Sequence, residues 1–186
     1  MKSVQDKFKV LLAFDLVSEL DSTAEAWSEA LVKSLVSDGC EVTILTREMD
    51  SRDYHSILES CGATIVLPPA TDEKELSDEF GALPRLRARH VVQIASKLKP
   101  DLTLIQGEEL SYRVLASNLC PDNVWVIPEC SPAISKGSTY NEKWMKVIGE
   151  NARLVLASDE NIRGTIEAHH PTVASKTRLL PPLLLT

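Results

Sequence analysis

The sequence lacks an excess of positive charge and a long apolar run, and each absence excludes a class of protein. Lysine and arginine total 20 against 27 aspartates and glutamates, which gives a formal net charge of −7. There is no basic surplus to neutralise the phosphates of a nucleic acid, so we predict no nucleic-acid partner. No stretch is apolar for long enough to cross a bilayer, and the polar first residues do not form a signal peptide. The expected compartment is the cytoplasm.

The cysteines and histidines are not arranged as metal ligands. There is no Cys-x-x-Cys pair among the four scattered cysteines, Cys40, Cys61, Cys120 and Cys130. This pattern favours reduced, mostly buried thiols over a disulfide or a zinc site, and we predict no metal. The neighbouring His169 and His170 have no partner at ligand spacing and are interpreted as the exposed end of a helix.

Several motifs of catalysis and nucleotide binding are also missing. No Gly-x-Gly-x-x-Gly follows the first apolar run, which disfavours a dinucleotide site. There is no Walker A loop and no Gly-x-Ser-x-Gly nucleophile elbow. A phosphoacceptor receiver domain needs an aspartate at the end of its third strand, where this chain has Leu67 and Pro68.

Residues 8–46 carry the clearest positive signal, a strand–helix–strand pattern. An apolar run at 8–14 is typical of a strand buried on both faces. Ser22 and Glu25 have the spacing of a capping box, which predicts a helix start, and Gly39 stands where that helix needs a left-handed stop. Residues 41–46 return to strand character, so the first two strands are predicted to be parallel.

Strand and helix patterns continue to alternate along the rest of the chain. Further strands are predicted at 63–67, 102–105, 124–127, 154–157 and 177–180. The helices between them are predicted at 54–61, 83–98, 109–120, 141–152 and 158–169. This alternation predicts a doubly wound α/β fold, with a mainly parallel, Rossmann-like sheet flanked by helices on both faces. We expect residues 1–186 to form one such domain.

Such sheets bind ligands at the carboxyl ends of their strands, so the polar residues there are the candidate binding residues. Ser22 and Thr23 begin the first helix, where backbone N–H groups suit an anion, although a simple helix cap explains them as well. Gly107 permits close backbone approach after the fourth strand. Glu108 beside it can accept sugar hydroxyls or merely complement the helix dipole, as can Glu109.

Two further candidates follow the fifth and sixth strands. Glu129 lies after strand five, where a carboxylate could orient a hydroxyl or act as a base, and it is the one weak catalytic candidate. Ser158 lies after strand six, where it or Asp159 is first of all expected to cap the next helix.

A run of cations in the helix at 83–98 suggests an anionic partner. Arg85, Arg87 and Arg89, followed by Lys97 and Lys99, have no acid between them. In an acidic protein this patch could contact anionic lipid head groups or a phosphorylated acceptor. The alternative is a solvated helix face balanced by the acidic segment before it.

Taken in order, these segments resemble the N-terminal, acceptor-side half of GT-B glycosyltransferases of the family-4-like kind. The likeness rests on residues 22–25 (Ser-Thr-Ala-Glu), the glycine turn into the strand at 38–46, and the Lys-Pro-Asp step into the strand at 99–106. It continues through the strand-to-serine step at 152–158 and the closing strand at 176–181.

The resemblance implies transfer of a hexosyl group from a nucleotide sugar to a glycan or lipid-linked acceptor. It implies no cofactor, because the nucleotide sugar is a substrate bound mainly by a C-terminal half. Ser22, Thr23, Gly107, Glu108, Glu129 and Ser158 would contact substrate, and residues 1–186 alone would be inactive. The sugar, the acceptor and the stereochemical outcome stay open.

Two other functions fit the same pattern. The first is a non-catalytic module that binds a glycan or a partner protein, since Ser22 and Thr23 stand where the family has paired glycines, and the loop after strand five lacks the histidine of many relatives. The second is a free-standing nucleotide-binding domain with other chemistry. Fold analogy alone does not choose between them.

Overall fold

The computed structural model describes residues 6–14, 22–46, 52–67, 82–128 and 142–180. The strands are β1 (Lys9–Ala13), β2 (Glu41–Leu45), β3 (Thr64–Val66), β4 (Leu102–Gln106), β5 (Val124–Ile127), β6 (Leu154–Ala157) and β7 (Thr177–Leu179). The helices are α1 (Ser22–Ser37), α2 (Arg52–Ser60), α3 (Ala82–Leu98), α4 (Glu108–Leu115), α5 (Glu142–Asn151), α6 (Glu160–His169) and α7 (Pro171–Ala174).

The strands form a seven-stranded sheet in the order β3-β2-β1-β4-β5-β6-β7. All six neighbouring pairs are parallel. In the centre, Ala13 pairs with Leu45 on one side and with Ile105 on the other. The predicted doubly wound α/β architecture with a parallel sheet is therefore confirmed.

Helices cover both faces of the sheet, and alternation along β1 assigns its side chains to one face or the other. Leu12 packs with Val32 of α1 and Leu58 of α2, which form what we call the α1 layer. Ala13, the next residue, packs in the cluster of the opposite α3 layer. That layer contributes one or more buried residues from each of its helices, including Val91, Leu110, Ile148, Ile166 and Val173. Continuous apolar strands are needed because the sheet is buried on both sides.

Glycine turns connect helices to strands as the sequence predicts. Gly39 ends α1 with φ +85°, and Gly62 follows α2 with φ +96°. Only glycine adopts these angles without steric cost. Close packing of Gly62 adds a second constraint, because a Cβ there would lie 3.0 Å from Val36 Cγ1.

Most helix ends lie within two residues of the sequence prediction, and two features differ by more. Helix α4 ends at Leu115, because the chain turns through hydrogen bonds from Ser117 N–H to Val114 O and from Cys120 N–H to Ser117 O. A short helix, α7, was not predicted; it begins at Pro171, whose missing N–H costs nothing at a first helical position.

The histidine pair at this junction divides between surface and core. His169 is exposed as expected, whereas the prediction of an exposed position was wrong for His170, which is only 6% exposed. Its backbone N–H donates to Ile166 O and its carbonyl accepts from Val173 N–H, so His170 links α6 to α7. Burial lowers the pKa of its imidazole, the charge of His169 lowers it further, and Glu142 acts in the opposite direction.

Candidate functional site

The carboxyl ends of all seven strands meet along one edge of the sheet because every pair is parallel. We call this edge the carboxyl rim. It comprises Gln106 and Glu108, which flank Gly107, and the residues that directly follow the strands: Phe14, Thr46, Leu67, Gly107, Pro128, Ser158 and Leu180. The order of the strands reverses between β1 and β4. A crevice at such a reversal is where open α/β sheets bind their ligands, so the rim is the candidate site.

Gly107 lies at this reversal in a conformation that requires glycine. Gly107 is the N-cap residue of α4 and has φ 102° and ψ 131°. Its N–H donates to Ile127 O at 2.9 Å, and its carbonyl accepts from both the N–H and the Oγ of Ser111, at 3.1 and 2.6 Å. These bonds fix the turn from β4 into α4, in which Gly107 is buried.

The two acids after Gly107 differ in what they contact. Glu109 forms an ion pair with Arg113 one turn along α4, with its Oε1 accepting from Nε at 2.9 Å. That pairing supports the structural interpretation of Glu109. Glu108 is half-buried in the first turn, directly beside the strand-order reversal. Glu108 is thus the nearer of the two acids to the reversal.

Ser158 and Asp159 lie two strands away from Gly107, at the end of β6. Asp159 caps α6, because its Oδ1 accepts from Ile162 N–H at 2.8 Å. The Ser158 hydroxyl donates to Asp159 Oδ2 at 3.4 Å. The predicted cap is thus confirmed for Asp159, and Ser158 stands on the rim next to it.

The remaining candidates are only partly located by the structure. Ser22 and Thr23 form the first turn of α1, as expected, but their side chains lie outside what the structure describes. Glu129 also lies outside the described residues. Among the predicted site residues, the structure therefore brings Gly107 and Glu108 together at the reversal and leaves Ser158 farther along the rim.

The proposed cluster of three arginines on α3 requires a correction. Arg87 is 6% exposed and its Nη2 donates to Phe14 O at 2.9 Å, so it is part of the buried structure at the end of β1. Arg85 and Arg89 are exposed. Residues two apart in a helix point to nearly opposite sides, whereas residues four apart share one side. Counting charges along the sequence ignored this phase, so Arg87 does not belong to an exposed basic patch.

Two polar residues at the rim were missed by sequence reasoning. Thr46 is 2% exposed, and its Oγ1 has no hydrogen-bond partner in the described part of the chain. The same holds for Oε1 of Gln106, the last residue of β4. A possible signal was present in the sequence, because each is a polar residue that ends an otherwise apolar strand.

Two open grooves are lined by other residues. One, of about 430 Å³, runs between α3 and α4 and includes Arg85, Arg89 and Tyr112. The other, of about 600 Å³, lies at the opposite edge of the sheet and includes Asp101 and Asn123. Within the described ranges, no three histidine, cysteine or acidic side chains are grouped as metal ligands. No described helix is both long and apolar enough to cross a membrane.

Solved structures share the fold of this chain. A glycosyltransferase from Rickettsia africae matches with a TM-score of 0.62 and 14% identity, over 94% of this chain and 43% of that chain. HepE from Anabaena, solved in complex with UDP and glucose, matches with a TM-score of 0.60 and 16% identity, over 93% of this chain and 44% of HepE. A UDP-GlcNAc 2-epimerase from Neisseria meningitidis, solved bound to UDP-GlcNAc, matches with a TM-score of 0.60 and 13% identity, over 96% of this chain and 48% of the epimerase.

These matches show which fold the chain has and how much of each structure it covers. The chain spans somewhat less than half the length of each of the three structures. No protein-family model and no curated protein matches the sequence. The chain thus has a glycosyltransferase-like fold, and the same fold occurs in UDP-GlcNAc 2-epimerases.

Proposed function

We propose that this chain is the acceptor-side half of a glycosyltransferase that moves a hexosyl group from a nucleotide sugar to a glycan or lipid-linked acceptor. One observation carries the proposal. The parallel sheet, with its reversal between β1 and β4, matches a glycosyltransferase, a protein solved with UDP and glucose, and a UDP-GlcNAc 2-epimerase over more than nine-tenths of this chain. The succession of family-4-like segments in the sequence supports the same assignment.

Substrate would meet the rim at the reversal. Gly107 is buried and holds the turn in place, and Glu108 beside it would offer acceptor oxygens for hydroxyl groups. Ser22, Thr23 and Ser158 would add further polar contacts from α1 and from the end of β6. Glu129 is proposed as the carboxylate that orients or deprotonates the acceptor hydroxyl.

Turnover would need a second domain. We propose that residues 1–186 form one domain and that the nucleotide sugar, the only co-substrate, is held mainly by a partner half. Loss of a single preorganised donor to a developing charge costs about 3 kcal/mol of transition-state stabilisation. The loss of several therefore makes residues 1–186 inactive by themselves.

The competing functions predict different products. Epimerisation has support in the match to a UDP-GlcNAc 2-epimerase, whose TM-score of 0.60 equals that of HepE. A non-catalytic glycan- or partner-binding module would bind sugar without any product. The experiment has to separate transfer, epimerisation and binding alone.

The test uses the natural protein. The gene is tagged at its chromosomal locus, the product is purified, and it is incubated with UDP-glucose or UDP-GlcNAc and a glycan acceptor mixture. Mass spectrometry of the acceptors and chromatography of the nucleotide sugars report the outcome. We expect sugar-extended acceptors, with Glu108→Gln and Glu129→Gln lowering the rate and Glu109→Gln, the matched change one residue away, having a smaller effect. An epimerised nucleotide sugar, or no product from any donor, would contradict transfer.

We also propose that a peripheral membrane contact forms through the exposed Arg85 and Arg89. Neither has an acidic partner among the described residues, and helix α3 contains no acid. Leu119, 72% exposed, lines the same groove, so an apolar side chain accompanies the two cations. Cations next to an apolar side chain suit an anionic bilayer surface.

Vesicle co-sedimentation tests this contact. Arg85→Glu should reduce binding to phosphatidylglycerol vesicles, while Lys33→Glu makes the same charge change on α1, in the opposite layer, and should leave binding nearly unchanged. Equal binding by both variants would rule out the membrane contact at α3.

A further inference from the structure

We infer that Thr46 and Gln106 form a hydroxyl-recognising subsite at the carboxyl rim, on the face covered by the α1 layer. The inference rests on the proposed function, because it specifies which part of the rim meets the uncharged hydroxyl groups of a carbohydrate. Neither residue belongs to the set proposed from the sequence.

Thr46 directly follows β2 and is almost completely buried. Its backbone N–H donates to Val66 O at 3.3 Å, which fixes the backbone against β3. Its side chain is 2% exposed, and Oγ1 has no partner among the residues that the structure describes. A buried hydroxyl without a partner lowers the stability of the fold, so the presence of threonine at this position requires an explanation.

Gln106 has the corresponding position at the end of β4. The side chain is half-buried, and its Oε1 is fully enclosed with no partner in the described ranges. The next residue, Gly107, is held by its bond to Ile127 O, so the backbone around Gln106 is also fixed. Gln106 Oε1, the oxygen without a described partner, is therefore carried by a segment with a fixed backbone.

The sheet register places the two residues in one row. Ala13 pairs with Leu45 and with Ile105, so the next residues along the three strands, Phe14, Thr46 and Gln106, continue the same row. Alternation puts this row on the α1 side, because Phe14 packs in the α1-layer cluster. Thr46 and Gln106 are thus separated by two strand spacings, roughly 10 Å between Cα atoms.

The chemistry of the pair selects uncharged hydroxyl groups. A threonine hydroxyl both donates and accepts, and the amide oxygen of glutamine only accepts. An acceptor oxygen is a poor neighbour for phosphate, whereas the O–H groups of a sugar can donate to it. A ligand that meets both residues presents hydroxyls at two separated points, as a pyranose or a larger glycan does.

An unpartnered buried oxygen alone does not define a site, and Thr103 shows why the position matters. Thr103 is 0% exposed, and no described residue is a partner for its Oγ1 either. It lies in β4 three residues before Gln106, which puts it on the other face and inside the sheet. Thr103 is therefore the matched control for the loss of a buried threonine hydroxyl.

The experiment measures sugar binding by the full chain and four variants. Saturation-transfer NMR with glucose, mannose and N-acetylglucosamine gives the affinity of each. Thr46→Val and Gln106→Met should weaken binding by about fivefold each, the effect of one neutral hydrogen bond. Thr46→Ser keeps the hydroxyl and should bind sugar as tightly as the wild type. Thr103→Val should leave sugar binding unchanged.

A thermal melt of each unliganded variant separates binding from folding. Because Thr46→Val and Thr103→Val each remove an unpaired buried hydroxyl, both should melt at or above the wild-type temperature. Equal sugar binding by wild type, Thr46→Val and Gln106→Met would overturn the subsite and leave the proposed function standing. A wild-type chain that binds none of the three sugars also overturns the subsite, whereas the proposed function fails if the transfer assay gives no sugar-extended acceptor.

Discussion

The amino edge and the carboxyl rim of the sheet are built from the same strands but satisfy their polar groups differently. At the amino edge, Lys9 N–H donates to Asp101 Oδ2 at 2.7 Å and Asp101 N–H donates back to Lys9 O at 2.9 Å. Asn123 Nδ2 then donates to Asp101 O at 2.7 Å, which links β1, β4 and β5. One buried oxygen at this edge, Asn123 Oδ1, has no described partner, whereas at the rim both Thr46 Oγ1 and Gln106 Oε1 lack one.

We expect the two edges to differ in function. The amino edge joins its strand starts through side-chain bonds between residues that are 92 and 22 positions apart in the sequence. At the rim, the described contacts include the bond from Arg87 to Phe14 O and the glycine turn at Gly107. Binding residues are commonly held on such a rigid scaffold, and polar groups kept for a ligand reduce the stability of the unliganded protein.

The contact from Arg87 gives the largest expected effect. Arg87→Ala leaves Phe14 O without its described donor and opens a cavity, so we expect a loss of roughly 3 kcal/mol in the free energy of unfolding. Urea denaturation measures it. The control is Arg85→Ala, an exposed residue on the same helix, with an expected change of less than about 0.5 kcal/mol. Equal losses of stability in the two variants would contradict the structural role of Arg87 at the end of β1.

The glycine turn at the rim gives the next largest effect. Gly107→Ala forces a side chain into φ 102° and should destabilise the protein by about 2 kcal/mol. Gly164 in α6 is the contrasting position, because a Cβ there would meet nothing within 4 Å. Gly164→Ala should stabilise by about 0.5–1 kcal/mol. Thermal melts of both variants check the pair, and a tolerated Gly107→Ala would show that the turn is not strained.

The aspartate of the amino edge is expected to matter less than either. Asp101→Ala removes the acceptor of Lys9 N–H on an exposed carboxylate, at a cost of about 1 kcal/mol. The change should affect stability without altering sugar binding at the rim. Asp122→Ala, another exposed acid near this edge, should be close to neutral. A loss of sugar binding in Asp101→Ala would contradict the separation of the two edges.

The smallest effect is a pH dependence near the amino edge. Because burial lowers the pKa of His170 in the folded chain, the unfolded chain binds more protons below the ordinary value of 6.5. The contribution of the neutral imidazole is complete above that value and is lost as the pH falls toward the lowered pKa. The melting temperature of the wild type should therefore fall more steeply on acidification than that of His170→Asn. Parallel curves would contradict this assignment.

Most of the fold was predictable because strand and helix signals are local. The predicted strands at 124–127 and 154–157 coincide with β5 and β6, and their parallel pairing follows from the helices between them. The exceptions depend on contacts that the linear pattern does not contain. The end of α4 is set by a turn at Ser117, and α7 packs close to Gly149, where a Cβ would lie 3.2 Å from the Thr172 carbonyl carbon.

The site was less predictable than the fold. Strand ends identified Gly107 and Glu108 correctly as rim residues, since position after a strand is a local property. The burial of Arg87 and the shared row of Thr46 and Gln106 depend on helix phase and on register between distant strands. The roles of all six site residues stay predictions: Ser22, Thr23, Gly107, Glu108, Glu129 and Ser158.

The most direct test of the central claim is where an uncharged sugar binds on the sheet. Backbone amide NMR of the protein titrated with glucose, mannose or N-acetylglucosamine reports this residue by residue. We expect the shifted amides to cluster at the rim, with Thr46, Gln106 and Gly107 among them, while Asp101 and Asn123 at the amino edge stay unchanged. Shifts centred on the amino edge, or on the groove between α3 and α4, would contradict the assignment of the rim as the binding edge.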